Sequence, residues 1–265
     1  MVDRPMNGTA CWVDLSTPDT EASVSFYSEL LGWEVSTMAS PMGDYFVASV
    51  GGREVGGMME HPPELRGGPA RWTVFFLVDD LEEVVSRVSA AGGRVVQPSF
   101  AIPGGAHVAV VSDASGAMFA LITGGPEPGA YLSTDIGAVS WLELMTRSPA
   151  AAEQFYNAVF GWTAASADVG GVVYTTFEIA GQGAAGMIAT PPTVPPDAPD
   201  SWSVYFNVAD CVAAQERASA LGGEVLLPAT PTPMGPFAVL ADPQGAVFQV
   251  MQVTGTHAAG AGEGP

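Results

Sequence analysis

Between residues 10 and 31 the hydrophobic pattern changes once, from a short apolar run broken by Asp14 to a spacing of three to four. Residues 10–15 read as a strand. Thr17-Pro18 offers an N-cap followed by proline at the first helical position. Ala22, Phe26, Leu30 and Leu31 then share one helical face, and Gly32 stops the helix. Strands are predicted around 45–50 and 54–59, before a Pro/Gly-rich link at 61–69. Residues 71–78 form an apolar strand, Asp80 caps the next helix with Glu83 completing a capping box, and Gly92-Gly93 ends it. Strands at 94–97, 107–112 and 117–122 follow, the last two joined by an Asp-x-x-Gly turn. The predicted order is β-α-β-β-β, twice over.

The same pattern is then written again. Trp12-Val-Asp-Leu15 returns as Trp141-Leu-Glu-Leu144, an offset of 129 that also relates Phe26-Tyr27 to Phe155-Tyr156, Gly32-Trp33 to Gly161-Trp162 and Gly57-Met58 to Gly186-Met187. Trp72, Asp80 and Gly92-Gly93 match Trp202, Asp210 and Gly222-Gly223 at an offset of 130, and Asp113-Ala-Ser-Gly116 matches Asp242-Pro-Gln-Gly245 at 129 again. A period this long is not that of a solenoid, whose repeats run to about 20–50 residues. It is a domain duplication, with copies expected at 8–123 and 136–253 and a Gly/Ala-rich tail at 254–265 expected to be disordered.

Composition narrows the partners. The chain has 265 residues and a formal net charge of −20, and its basic residues are all arginine. That charge repels phosphate backbones and anionic membrane surfaces, so neither nucleic acid nor membrane is expected as a partner. No apolar run reaches the ~20 residues of a membrane span. Residues 1–8 lack a basic start followed by an apolar stretch, and two cysteines, Cys11 and Cys211, make no disulfide framework, so a cytoplasmic location is expected. Without lysine, a side-chain Schiff base is excluded.

Four β-α-β-β-β units, Phe-Tyr-x-x-x-x-Gly-Trp in both copies and Asp-x-x-Gly before the last strand of each resemble the glyoxalase / bleomycin resistance / extradiol dioxygenase superfamily, the vicinal oxygen chelate proteins. The resemblance runs over nearly all of residues 8–253. It implies an α+β fold of two tandem glyoxalase-like domains. In each, two βαβββ units form one curled mixed sheet around a cup. Metal-using members of the family hold a divalent ion there through histidine, glutamine and glutamate.

Carried over residue by residue, the family's metal positions hold other residues here. The first-strand ligand falls on Trp12 and Trp141, the second-unit ligand on Thr73 and Ser203, and the last-strand glutamate on Ala120 and Gln249. Indole and a methyl group cannot bind a cation, and hydroxyl and amide groups are weak ligands on their own. The three histidines, His61, His107 and His257, are scattered. No metal and no other cofactor is therefore expected. Asp14 and Glu143 flank the tryptophans, and strand alternation is taken to turn them to the opposite sheet face.

What stands in place of the ligands is apolar and aromatic, which suits a small organic molecule. Trp12 and Trp141 are expected in the cups, with Thr73, Phe75, Phe100, His107, Met118 and Ala120 lining the first and Ser203, Tyr205, Met234, Phe237, Gln249 and Met251 the second. Trp33 and Trp162, following a helix, read as core, and the two cysteines as small buried packing. Two functions follow. One is binding of an apolar or planar aromatic molecule, for sequestration, as in drug resistance, or in support of natural-product biosynthesis. The other is a glyoxalase-like lyase, isomerase or hydroxylase-type enzyme, with His107 or a carboxylate replacing the metal. Two cups in one chain mimic a dimer of single domains, so both monomer and homodimer are open.

Overall fold

The computed structural model describes residues 7–40, 43–62, 67–124 and 132–252. The predicted tail, His257 and much of the link between the copies lie outside them. The first copy comprises β1 (Thr9–Thr17), α1 (Thr20–Leu31), β2 (Glu34–Ser40), β3 (Gly43–Val50), β4 (Arg53–Glu60), β5 (Arg71–Leu77), α2 (Leu81–Ala90), β6 (Arg94–Ala101), β7 (His107–Ser112) and β8 (Met118–Thr123). The second repeats them as β9 (Val139–Thr146), α3 (Pro149–Phe160), β10 (Thr163–Val169), β11 (Val172–Ile179), β12 (Gln182–Ala189), β13 (Ser201–Val208), α4 (Cys211–Ala220), β14 (Glu224–Thr230), β15 (Phe237–Ala241) and β16 (Val247–Gln252).

Each copy forms one eight-stranded mixed sheet, ordered β2-β3-β4-β1-β5-β8-β7-β6 and β10-β11-β12-β9-β13-β16-β15-β14. The two units of a copy meet where β1 runs antiparallel to β5, and β9 to β13. Units of the same copy therefore pair with each other. The cap of α1 differs from expectation: Asp19 accepts from the Ala22 amide at 2.9 Å, and Thr17 belongs to β1. A carboxylate two residues later is as good an Ncap as threonine, and the strand keeps its pairing with Glu60. Asp80 caps α2 as expected, accepting from the Glu83 amide at 3.0 Å, while the Glu83 carboxylate pairs with Arg87 one turn on.

Alternation along the strands sorts two faces. Val13 and Leu15 on β1, Val74 and Phe76 on β5 and Phe119 and Leu121 on β8 enter one core cluster, which also takes Leu142, Leu144, Val204, Phe206, Phe248 and Val250 from the second sheet. The helix-bearing faces of the two sheets thus turn towards each other, and one core serves both copies. Phe206 packs edge-on against Trp33 and Trp72, with ring centroids 5.4 and 5.3 Å apart, and Phe76 does the same to Trp162 and Trp202 at 5.4 and 5.2 Å. Burying one such phenylalanine stabilises the fold by about 1.5–3 kcal/mol.

The Phe-Tyr-x-x-x-x-Gly-Trp motif makes this contact. The glycines, Gly32 and Gly161, take the left-handed conformation at the helix ends (φ 72° and 75°) and turn the following tryptophan back beneath its tyrosine. Tyr27 stacks on Trp33 and Tyr156 on Trp162, both at 5.4 Å. Each tyrosine hydroxyl accepts from a second-unit tryptophan, Trp72 at 3.1 Å and Trp202 at 2.9 Å. It then donates across the duplication: Tyr27 to Asp242 and Tyr156 to Asp113, each at 3.1 Å. These aspartates are the first residues of the Asp-x-x-Gly turns, where they also accept from Ala246 and Ala117 amides.

Tyr27→Phe or Tyr156→Phe leaves a buried indole N–H and a buried carboxylate each short of one partner. We expect each substitution to cost about 1–3 kcal/mol, read as a lower denaturation midpoint in urea with unchanged m-value.

Candidate functional site

The opposite face of each sheet is the cup. In the first copy a separate apolar cluster lies there: Cys11, Phe75, Ala106, Val108, Ala120 and Ile122, with Trp12, Leu77, Phe100 and Ile102 against it. Four of the residues expected to line this cup, Trp12, Phe75, Phe100 and Ala120, are thus together. The register explains it, since Trp12 faces Phe75 and Phe75 faces Ala120 on adjacent strands. In the second copy the matching row is Trp141–Tyr205–Gln249, continued by Val239, while Phe237 pairs with Met251 and tilts over Tyr205 at 6.2 Å.

Asp14 and Glu143 stand on the cup face, contrary to the sequence-based expectation. A residue two positions on from a tryptophan shares its side of the strand, because the side-chain period is two. Asp14 sits between Thr73 and Gly57, and Glu143 between Ser203 and Gly186. They are only 6% and 7% exposed.

Each carboxylate is the centre of a small polar cluster. The Trp12 indole N–H lies 2.7 Å from Asp14 Oδ1 and 2.8 Å from the Tyr45 hydroxyl, and Tyr45 donates to the same Oδ1 at 2.6 Å. In the second cup Trp141 donates to Tyr174 at 2.8 Å, while Tyr205 donates to Glu143 Oε1 at 2.9 Å and Tyr174 bonds to the same carboxyl. The two arrangements differ by compensating changes. Glutamate is one methylene longer than aspartate and reaches Tyr205, where the first copy has Phe75 without a hydroxyl. Gly57 and Gly186 are required here: a methyl group on either would collide with the tyrosine hydroxyl, and at Gly186 also come within 2.7 Å of Trp141 Nε1.

Burial sets the electrostatics. It raises Asp14 to about 6, against the lowering effect of the Tyr45 and Trp12 hydrogen bonds. It raises Glu143 to about 7, partly offset by Tyr205 and Tyr174. Near neutral pH each cup therefore holds a carboxyl group that gains or loses a proton readily. Cys11 and Cys211 are buried packing, as expected: desolvation pushes their thiols up to about 12 and about 11. At Cys211 that outweighs its place at a helix N-terminus.

The remaining expected residues are placed unevenly. Thr73 and Ser203 flank the carboxylates on the cup face. Met118 begins β8, half-buried, with its sulfur 3.9 Å from the Arg71 guanidinium. Met234 is 55% exposed in the β14–β15 turn. His107 is exposed on β7, on the parity of Ala109 and Val111 that faces the shared core, whereas Val108 faces the cup. The structure thus does not bring His107 to the carboxylates. His61 is buried, tied to the Ser16 hydroxyl at 2.7 Å and the Gly68 carbonyl at 3.2 Å. A crevice of about 280 Å³, lined by Leu30, Ile136, Asn207, Asp210 and Arg217 among others, lies along α4 and outside both cups.

A divalent ion needs several converging hard donors. Among the described residues no three histidine, cysteine, aspartate or glutamate side chains come together. Among the described residues the central strands of the cups present Asp14, already engaged by Tyr45 and Trp12, and Glu143, already engaged by Tyr205 and Tyr174. The residues present do not fit the three-ligand metal site of the family whose pattern the sequence resembles.

Two signals would have found this cluster. Trp-x-Asp and Trp-x-Glu occupy matching places in the two copies, and so do Tyr45 and Tyr174, at the offset of 129.

Comparison with known proteins agrees with this architecture. The family model described as "Glyoxalase/Bleomycin resistance protein/Dioxygenase superfamily" matches residues 10–121 and 138–250. CFP32 of Mycobacterium tuberculosis is 37% identical over 250 residues, covering 92% of this chain and 95% of its own. The Streptomyces peucetius anthracycline biosynthesis protein DnrV is 34% identical over 270 residues, covering 96% and 97%. Among solved structures, the Mn(II)-bound glyoxalase from Novosphingobium aromaticivorans superposes with a TM-score of 0.63 at 15% identity, covering 93% of this chain and 82% of its own, a likeness of fold alone.

The buried carboxyls make stability depend on pH in a defined direction. Glu143 rises from the usual 4.5 to about 7 in the folded state, so the folded chain binds its proton more tightly than the unfolded chain. The stabilisation is complete below pH ~4.5 and lost as pH rises through ~7. Its full size is about 3 kcal/mol at about 1.36 kcal/mol per unit. Urea denaturation at pH 4.5–8 should show stability falling over this window, with a flatter profile in Glu143→Gln.

Proposed function

Because the chain belongs to the glyoxalase / bleomycin resistance / dioxygenase superfamily, whose sheets curl around ligand cups, we propose that it binds a small planar aromatic molecule in these cups without the family metal. The observation that carries this reading is the indole in the middle of each cup, held by its own N–H through a tyrosine and, in the first copy, a carboxylate. With the N–H anchored, the ring is held in one orientation, and both indoles are only partly buried on the cup face. Offset stacking on such a ring adds about 0.5–1.5 kcal/mol beyond burial. The DnrV relative carries anthracycline biosynthesis in its name, which supports a polycyclic aromatic ligand and an accessory role in making a natural product. A role in drug resistance by sequestration uses the same cups.

A second reading is enzymatic, and Glu143 favours it. A carboxyl raised to about 7 beside an aromatic platform is suited to moving a proton on a bound ligand. Its neighbours Tyr174 and Tyr205 are raised well above their ordinary range by burial and stay protonated, so they can donate but not act as bases.

Tryptophan fluorescence tests the binding reading. Planar aromatics such as 1-naphthol should quench emission saturably, with loss of the effect in Trp12→Phe/Trp141→Phe. Linear, unsaturable quenching, or a full equivalent of Zn, Ni, Fe or Mn per cup in the purified protein, overturns it. Turnover of the bound aromatic with a pH profile inflecting near 7, abolished in Glu143→Gln, selects the enzymatic reading.

A further inference from the structure

The two cups differ at one position in a way that bears on what they accept. Ala120 on β8 corresponds to Gln249 on β16, each beside the aromatic residue of the central pair, Phe75 and Tyr205. Phe248 and Val250 enter the shared core, so Gln249 points to the cup face. It is only 6% exposed, and its Oε1 has no hydrogen-bond partner. The Tyr205 hydroxyl beside it is committed to Glu143. The carboxyl of Glu143 is itself engaged by Tyr205 and Tyr174. Among the described residues of this cup, the glutamine carbonyl is the buried side-chain acceptor that has no partner. Leaving a buried acceptor unpaired is unfavourable, and native proteins keep such groups where something supplies the donor.

We propose that the second cup selects a ligand bearing a hydrogen-bond donor, a phenolic or hydroxylated planar aromatic, which donates to Gln249 Oε1. This rests on the binding reading above and adds to it the chemical class of the ligand and the cup that chooses it. Phe237 and Met251, half-buried and paired across β15 and β16, form the next side-chain row beyond it, towards the end of β16. Methionine is unbranched and repacks readily, so a ring can enter over Gln249 without breaking the sheet. The first cup, with Ala120 in this place, has a methyl group to offer and is expected to be indifferent to the hydroxyl.

A matched pair of probes tests this. 1-Naphthol and 1-methoxynaphthalene share a ring system, but only the first donates a hydrogen bond. In Trp12→Phe, where Trp141 is the remaining cup tryptophan, quenching should show 1-naphthol bound about tenfold more tightly than the ether, the worth of one buried hydrogen bond. Gln249→Met, which keeps the length and removes the acceptor, should erase the difference between the two probes. Circular dichroism and the thermal midpoint establish that this variant is folded. Should it fail to fold, the probe pair on Trp12→Phe alone still decides. Equal affinities there mean that Gln249 serves a resident water, which overturns the inference and leaves the binding reading standing. If neither probe quenches saturably, both fall.

Discussion

The hydrogen bond from each tyrosine to the aspartate of the other copy's turn is the constraint on which the arrangement rests. Tyr27 and Tyr156 are fully buried, and burial raises both hydroxyls well above their ordinary range. A hydroxyl in that position must both accept and donate, and it does so in a fixed direction: from its own copy's second-unit tryptophan, to the other copy's aspartate. One node therefore joins a first-unit helix, a second-unit strand and a turn of the opposite sheet. Because the node occurs twice, reciprocally, the copies cannot slide or rotate without breaking both. The aromatic stacks around it supply most of the energy, but apolar packing is non-directional. The tyrosine–aspartate pairs give the interface its register.

Fixing the backs of the sheets together frees their cup faces. The same alternation that sends Val13 and Leu15 into the shared core sends Trp12 and Asp14 the other way, and the bulge between Ala10 and Trp12 brings Cys11 to that side as well. On the cup side the polar cluster works as a brace. Indole, phenol and carboxyl share hydrogen bonds over a glycine that has no side chain to obstruct them. The brace costs desolvation of a carboxylate, which the protein meets by letting the group approach neutrality rather than by pairing it with a cation. That choice fits an aromatic cup, since a neighbouring lysine or arginine would compete with a flat ligand for the indole face.

Much of the fold was legible in the sequence because the sequence states it twice. Any single strand or helix is ambiguous, but matched Trp, Phe-Tyr, Gly-Trp and Asp-x-x-Gly at nearly constant offset fix the order of elements together. The capping of α2 by Asp80 could be read directly, while the start of α1 could not, because Thr17 and Asp19 are both able caps and only strand pairing chooses between them. The cross-copy role of Asp113 and Asp242 was invisible: an Asp-x-x-Gly turn satisfies its own amides and gives no sign of a third partner. The cups were half legible. Trp12 and Ala120 were placed by carrying family positions along the strands, and Phe75 and Phe100 as further aromatic liners. Asp14 and Glu143 were missed through a slip in alternation, and His107 was drawn in because a lone histidine attracts chemical attention whatever face its strand presents.

The cups have diverged where the tyrosine–tryptophan–aspartate nodes have not, and the geometry explains why. A change at Tyr27, Trp33 or Phe206 disturbs both copies at once, because each of these rings touches the other half. A change on the cup face is felt within one copy. Asp14 with Phe75 and Glu143 with Tyr205 show such a change made in two coordinated steps: the longer acid is matched by a phenol that satisfies it. Ala120 and Gln249 show one made without a matching partner inside the protein. Duplication thus yields a frame held by symmetry and two bowls free to differ. On the proposed reading, the bowl that carries an unpaired acceptor is the one in which to look for specificity, while the other would need only shape and stacking to hold a flat ring.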